Sequence, residues 1–238
     1  MLGIYCLVTV TVISYFFSDF IKKFSAEIYF FAGTISLMSI YHAIMRLNGY
    51  DVEYVNGLEQ VMRSISSGAL GGAFFILVMY MGVFSMKYKV FKQLRKNRAE
   101  LSIIACIVTL PHNIYYFFQS LLYTLPLVGG MKGIPLWTNL MMFASGAFAI
   151  AIMIPLFITS FNFVHKKIKA SKWKSLQEFA YIFYAMVYVQ VMMVYIGRPD
   201  SSTRTLNLIF YSVIFLSYTV LRVRKAIKSF KKKAVQSV

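Results

Sequence analysis

The chain has 238 residues, of which 59% are hydrophobic and 14% charged, and its formal net charge at pH 7 is +17. A soluble domain has roughly a quarter of its residues charged, so this composition excludes a surface that is mostly covered by water. The positive charge first suggests nucleic acid, but the basic residues are grouped at alternate ends of apolar runs, which argues against that class.

Apolar runs follow one another along the whole chain, and a helix needs about 20 such residues to cross the hydrocarbon core. Seven runs occupy residues 2–21, 27–47, 64–86, 101–122, 137–163, 179–196 and 206–222. The first run lacks the basic start and the cleavage site of a signal peptide, so we interpret it as a retained helix. The pattern predicts an all-α integral membrane protein, a bundle of about seven transmembrane helices.

The basic residues predict the orientation of this bundle. Most of them lie in four clusters after the first, third, fifth and seventh runs: Lys22, Lys23; Lys87, Lys89, Lys92, Arg95, Lys96, Arg98; Lys166, Lys167, Lys169, Lys172, Lys174; Arg222, Arg224, Lys225, Lys228, Lys231, Lys232 and Lys233. The exceptions are Arg46, Arg63, Lys132, Arg198 and Arg204. Because cytoplasmic loops are rich in Lys and Arg, we expect an outer N-terminus, a cytoplasmic C-terminus and acidic Asp51, Glu53 and Glu59 outside. The clusters would also meet anionic lipid headgroups.

Ionisable groups inside transmembrane helices are costly, and each is a functional hypothesis. His112 lies near the middle of the fourth run, directly after Pro111, which cannot donate a hydrogen bond to the carbonyl of Ile107. A neutral imidazole there can ligate iron. The structural alternative is a histidine bonded to Asn113, to the freed carbonyl or to Gln119. His42, near the outer end of the second run and beside Arg46, could reach the interface, but a structural role is favoured. His165 is interpreted as a solvated or headgroup-facing residue.

The sixth run carries further polar and sulfur-bearing side chains. Gln177 lies just before this run, next to the basic cluster that ends at Lys174, and Gln190 lies about as deep in the membrane as His112. An amide at that depth needs a hydrogen-bond partner. Met186 and Met193 share the helical face of Gln190. A thioether can be an axial haem ligand, although methionine in an apolar helix more often serves packing. Cys6 and Cys106 are interpreted as small buried residues.

Two stretches, each a basic loop followed by a helix, resemble a known family: LRKNRAELSIIACIVTLPHNIYYF at residues 94–117 and TSFNFVHKKIKASKWKSLQEFAYIFYAMVYVQVMMVYI at residues 159–196. They resemble the ferric-reductase-like transmembrane domain family and, within it, MsrQ, the haem-binding membrane subunit of a methionine sulfoxide reductase system. The resemblance covers roughly residues 50–235. It implies a helical membrane domain at 27–224, preceded by an additional helix within 1–26 and followed by a basic cytoplasmic tail at 225–238.

The resemblance places His112 on a haem-ligand position. In the second stretch the family has a Trp, then a ligand histidine after three residues and another thirteen further on. This chain keeps Trp173 but has Gln177 and Gln190 at the histidine positions. The resemblance therefore implies one haem b held by His112, with Gln190 bonding a propionate, a water or a ligand. The sixth position would be open or held weakly by Met186, Met193 or a water.

These observations predict a membrane-embedded haem b-binding protein in a bacterial cytoplasmic membrane, acting in electron transfer or haem capture. The sequence shows no nucleotide-binding motif and no catalytic triad, so it would be at most a redox subunit that works with a partner protein or a quinone. The alternative is a haem-free member of the same class that serves as a scaffold, quinone-binding or assembly subunit. A transporter is less favoured, because no repeats are seen and few charges line any helix.

Overall fold

The computed structural model describes residues 2–50 and 52–236, with side chains described as far as Ser229. Asp51, predicted to lie in an outer loop, and residues 237 and 238 of the predicted basic tail lie outside the described residues. Within those ranges every regular element is a helix. The prediction of an all-α protein is therefore confirmed for the described part of the chain.

Three helices separated by single residues begin the chain: α1 (Leu2–Phe16), α2 (Ser18–Lys23) and α3 (Ser25–Leu47). Backbone hydrogen bonds continue through both joints, since the Phe17 N–H donates to the carbonyl of Ile13 at 2.9 Å and the Phe24 N–H donates to that of Phe20 at 2.9 Å. With 15 residues, α1 is shorter than the length of about 20 that a span requires. A separate crossing by α1, and with it the count of seven, stays a prediction.

The third apolar run, predicted as one uninterrupted helix, is broken. It forms α4 (Glu59–Ser66) and α5 (Ala69–Met81), which are bent by 69° relative to each other. Gly68 stands at the break with φ +75°, a left-handed conformation that glycine adopts without the steric cost that other residues incur. The run contains no charge that could have marked the break, so the glycine was the signal available in the sequence.

The remaining helices alternate between long spans and short connectors. They are α6 (Lys89–Lys96), α7 (Arg98–Gln119), α8 (Gly133–Ile158), α9 (Asn162–His165), α10 (Ala170–Ile196) and α11 (Ser202–Gln236). A π-helical turn at Ser120–Thr124 and a 3₁₀ segment at Leu125–Gly130 extend α7. The last helix continues through residue 225, where the basic tail is predicted to begin.

Within the described residues, five helices are long and apolar enough to cross a membrane, namely α3, α7 with its extension, α8, α10 and α11. The bent pair α4–α5 makes a sixth if it is one span. Large apolar side chains point away from the bundle, among them Phe30 at 73% exposure and Leu37 at 68%. Such a surface is stable in lipid and not in water. The chain is a multi-pass membrane protein.

Two hydrophobic clusters form the core of the part of the chain whose side chains the structure describes. The first joins α1 and α2 to α4, α5, α6 and α7, and the second joins α5 and α7 to α8, α10 and α11. The helices α5 and α7 contribute to both clusters. They are therefore the central pair on which the N-terminal and C-terminal helices pack.

A cluster of polar side chains near Lys22 connects α1 and α2 with α6 and α7. Asn97 is fully buried, and its Nδ2 donates to the carbonyl of Ser18 at 2.6 Å and to its Oγ at 3.0 Å. Lys22 pairs with Glu100 at 2.5 Å, and Gln93 Nε2 donates to the carbonyl of Tyr15 at 3.0 Å. These bonds fix the position of the α1–α2 joint.

Candidate functional site

Pro111 interrupts the hydrogen bonding of α7 one residue before His112. Its ring nitrogen has no hydrogen to donate to the carbonyl of Ile107. The structure supplies a replacement from another helix, because Ser36 Oγ on α3 donates to that carbonyl at 3.0 Å. The freed carbonyl is therefore not the partner of His112, which was one of the alternatives left open by the sequence.

The imidazole of His112 is oriented by a backbone carbonyl. Its Nδ1 lies 3.0 Å from the carbonyl oxygen of Ser66, the last residue of α4. Since a carbonyl can only accept, Nδ1 carries the proton and Nε2 carries the free lone pair. Nε2 has no hydrogen-bond partner among the described residues. It is therefore the ring nitrogen whose lone pair is left for a ligand.

The break between α4 and α5 makes room for this imidazole. A Cβ atom at Gly68 would lie 2.8 Å from Cε1 and 2.9 Å from Nδ1 of His112. Glycine is thus required there both by the backbone conformation and by the close approach of the ring. Tyr116, one turn further along α7, packs its ring 4.6 Å from the imidazole.

Gln190 lies against a different helix. A Cβ atom at Gly146 of α8 would be 2.8 Å from Gln190 Nε2, so the amide packs onto the bare backbone of that glycine. In the part of the chain that the structure describes, neither amide atom forms a hydrogen bond with the protein. An amide within the hydrocarbon region needs a partner, which leaves this side chain free to bond a ligand or a water.

The other predicted site residues are spread along α10. Met186 packs against the second hydrophobic cluster, while Met193 and Gln177 are half-buried, the latter toward the basic end. The partners described for His112 are Ser66, Gly68 and Tyr116. The predicted residues of α10 are not among them, so none of Met186, Met193, Gln177 or Gln190 has a described contact with His112.

The remaining histidines differ in environment. His42 has 6% of its surface exposed, its ring stacks on that of Tyr54 with centroids 5.2 Å apart, and its Nδ1 is buried without a described partner. His42 is therefore packed in the core, in agreement with the structural role that the sequence favoured. His165 is half-buried, with its ring 4.5 Å from that of Trp173.

The residues around His112 fit one axial position of a haem. The porphyrin supplies four nitrogens, so the protein need only supply axial side chains. Metal-bound histidines usually donate their other ring N–H to a carbonyl or carboxylate, which is the arrangement of His112 and Ser66. Gly72, one turn beyond Gly68, has open space where its Cβ would stand. Among the described residues no three His, Cys, Asp or Glu side chains are grouped to hold a metal ion by themselves.

Sequence reasoning missed the two serines of this site. Ser66 acts through its carbonyl, which every residue possesses, so no side-chain pattern could have singled it out. Ser36 had a signal, since a hydroxyl on a neighbouring helix is a common partner for a carbonyl freed by proline. The pairing of α3 with α7 was needed before that signal could be used.

Comparison with known proteins finds an uncharacterized protein of Treponema pallidum (strain Nichols) that is 29% identical over 175 residues. The match covers 72% of this chain and 47% of the relative, so the chain spans about half the length of that protein. No family model matches the chain, and no solved structure matches it. The comparisons assign no function, so a functional conclusion depends on the described helices and on the residues around His112.

Proposed function

We propose that the protein is a membrane-embedded haem b-binding protein of the ferric-reductase-like class, with His112 as the axial ligand. One observation supports this most directly: Nδ1 of His112 is held by the carbonyl of Ser66 at 3.0 Å, which leaves the lone pair of Nε2 for iron. The site would serve electron transfer or haem capture in a bacterial cytoplasmic membrane. A partner protein or a quinone would then exchange electrons with it.

The chain's own residues have separate tasks in this proposal. Ser66 sets the tautomer and the orientation of the imidazole, and Gly68 permits its position against the α4–α5 break. Gln190 offers an amide donor and acceptor, which suits a propionate, a water or a bound small molecule better than iron itself. A haem bound at this site would supply one-electron chemistry.

A second candidate follows from the glutamines. Gln177 and Gln190 stand where the resembled family has ligand histidines, and neither is among the described partners of His112. A haem-free scaffold, quinone-binding or assembly subunit would be compatible with these replacements. The two candidates differ in a measurable property, the capacity of the purified protein for haem.

The test is an absorbance titration of purified protein with haemin, in detergent, before and after reduction. We expect saturation at one haem per chain, a Soret band that shifts on reduction, and binding of carbon monoxide by the reduced form. His112→Ala should lose most of the absorbance. His165→Ala is the matched control and should titrate like the wild type, because its ring contacts Trp173 in a different part of the chain.

An equal haem content in wild type and in a folded His112→Ala variant would remove the proposed function. Absence of specific binding by the wild type would favour the haem-free candidate. A reduced protein that is low-spin and does not bind carbon monoxide would show that another side chain occupies the sixth position, and Met186 would be replaced first to find it.

A further inference from the structure

A cavity lies beside the end of α3, around Arg46 and Tyr54. Its volume is about 330 Å³, and its wall is formed by the end of α3, the following loop, α4 and α7. The polar part of the wall includes Arg46, Tyr54, Arg63 and Tyr115. A second cavity of about 430 Å³ adjoins it and shares Leu2 and Arg63 with it. Small-molecule sites start at about 300 Å³, so the volume of the first cavity is at the lower end of the range for a small-molecule site.

Two guanidinium groups are held in the wall by aromatic and polar partners. Arg46 donates from Nη2 to the hydroxyl of Tyr54 at 2.8 Å, and its guanidinium carbon lies 5.8 Å from the ring centre of Tyr115. Arg63 lies 5.5 Å from the ring centre of Tyr54 and donates from Nε and Nη2 to Glu59. A guanidinium has five N–H groups, so Arg63 retains donors for a ligand.

The central ring of this arrangement is itself fixed. Tyr54 stacks on the buried imidazole of His42 at an interplanar angle of 14°, and both arginines contact its ring. The donors are therefore oriented before any ligand arrives, which lowers the entropic cost of binding. Only five basic residues of the sequence lie outside the four basic clusters. Two of these five, Arg46 and Arg63, lie in the wall of this cavity.

The chemistry of the wall selects the ligand. Arginine binds phosphate with paired hydrogen bonds and tyrosine or serine hydroxyls add further donors, and Ser66 and Ser67 also line the cavity. Apolar atoms of Leu2, Ala43 and Pro111 complete the wall. A ligand that carries both a phosphate and an apolar body contacts both the hydrogen-bond donors and the apolar atoms of the wall. A free inorganic anion contacts only the donors.

We propose that this cavity binds the phosphate group of an anionic phospholipid headgroup. The inference goes beyond haem binding and does not depend on it, because the donors are Arg46, Arg63 and Tyr54, and His112 is not part of the wall. A bound lipid would join the end of α3 to α4 and α7 through its phosphate.

The experiment uses the full chain in nanodiscs of equal phosphatidylglycerol and phosphatidylcholine, followed by native mass spectrometry of the released protein without added haem. The wild type should retain phosphatidylglycerol preferentially. The double variant Arg46→Gln with Arg63→Gln should lose this retention by about tenfold, since it loses charged hydrogen bonds. Tyr54→Phe, which removes only the hydroxyl that orients Arg46, should show a smaller loss.

Arg198→Gln is the matched control. Arg198 is another of the five basic residues outside the four basic clusters. Its guanidinium carbon lies 5.3 Å from the ring centre of Tyr195, and it does not line the cavity. This variant should retain phosphatidylglycerol as the wild type does. An equal loss in Arg198→Gln would show general attraction of charge and would overturn the proposal.

A second arm separates the two sources of phosphate by adding inorganic phosphate to protein in neutral detergent and recording the melting temperature. A phosphate-dependent rise in the wild type alone, without phosphatidylglycerol retention, would overturn the lipid as ligand. Equal lipid retention in wild type and in the double variant, both monodisperse and helical by circular dichroism, would overturn the whole site. If the double variant does not fold, Tyr54→Phe decides the outcome by the same comparison.

Discussion

Gly68 and Gly72 lie one helical turn apart, and a side chain at the two positions would meet different surroundings. A Cβ atom at 68 would press on the imidazole of His112 at 2.8 Å, while one at 72 meets nothing within 4 Å. Gly68 also has φ +75°, which costs other residues roughly 1–2 kcal/mol. We therefore expect Gly68→Ala to destabilise the fold by about 1–3 kcal/mol and to weaken haem binding by displacing His112.

Gly72→Ala is the control for this substitution. It should retain haem and leave the stability unchanged or raise it by up to about 1 kcal/mol, because alanine favours the helix. Thermal unfolding in detergent and haemin titration of both variants make the comparison. If both variants bind haem as tightly as the wild type does, the packing of Gly68 against His112 has no part in the site.

His112 shows how far a sequence can predict a site at the scale of single residues. Its depth, and the proline before it, marked it as an unusual group. Its partner could not be predicted, because the carbonyl of Ser66 lies 46 residues away in sequence and is chemically like every other carbonyl. The grouping of Arg46 with Arg63 around Tyr54 depends on the break at Gly68 and was likewise hidden.

The contact between α3 and α7 includes an interhelical hydrogen bond whose contribution to stability can be measured. Ser36 Oγ donates at 3.0 Å to the carbonyl that Pro111 leaves without a helical partner. Ser36→Ala removes that bond and leaves a buried carbonyl unpaired. Such bonds in membranes contribute about 0.6 kcal/mol on average and at most about 1.7, so we expect a loss of about 1 kcal/mol.

Thr34→Ala provides the comparison on the same helix. Thr34 Oγ1 donates at 3.0 Å to the carbonyl of Phe30, which already belongs to the helical ladder of α3, so its removal should change the unfolding free energy very little. Reversible unfolding in mixed micelles would give both values. Equal losses in the two variants would mean that Ser36 does not compensate for the proline.

Helix existence was easier to predict than helix ends. The apolar run 179–196 located α10, but the helix begins at Ala170 because lysine-rich sequence also forms helix once the apolar part is anchored. The run 64–86 contains no charged residue, and it was predicted as one helix without the break that places Ser66 beside His112. The first run ends as α1 at Phe16, five residues before its predicted end.

At the scale of the whole molecule, the orientation can be tested with two single cysteines. Glu53 lies between α3 and α4, and Ser229 lies near the end of the described side chains. Between them the chain passes through the bent pair, α7, α8, α10 and α11. If each of these crosses the membrane, the number of crossings is odd. Glu53→Cys and Ser229→Cys should then be labelled from opposite sides, with Ser229→Cys on the cytoplasmic side, where basic loops lie.

Labelling of intact cells with a membrane-impermeant maleimide, before and after permeabilisation, gives the result. The native Cys6 and Cys106 have 7% and 5% of their surface exposed, so they should add little background. Labelling of both introduced cysteines from the same side would mean that the number of crossings between them is even, so that the bent pair or one of the other four helices does not cross. The outcome does not depend on whether α1 crosses.

The bond between Ser18 and Asn97 imposes an order on biosynthesis. Its two residues are 79 positions apart, and synthesis at 5–20 residues per second delivers Asn97 roughly 4–16 s after Ser18. During that interval the carbonyl and the hydroxyl of Ser18 lack the hydrogen bonds that the side-chain amide of Asn97 later donates to them. The N-terminal segment must therefore stay at the insertion machinery or in the bilayer until Asn97 has been synthesised, and only then can it form this bond.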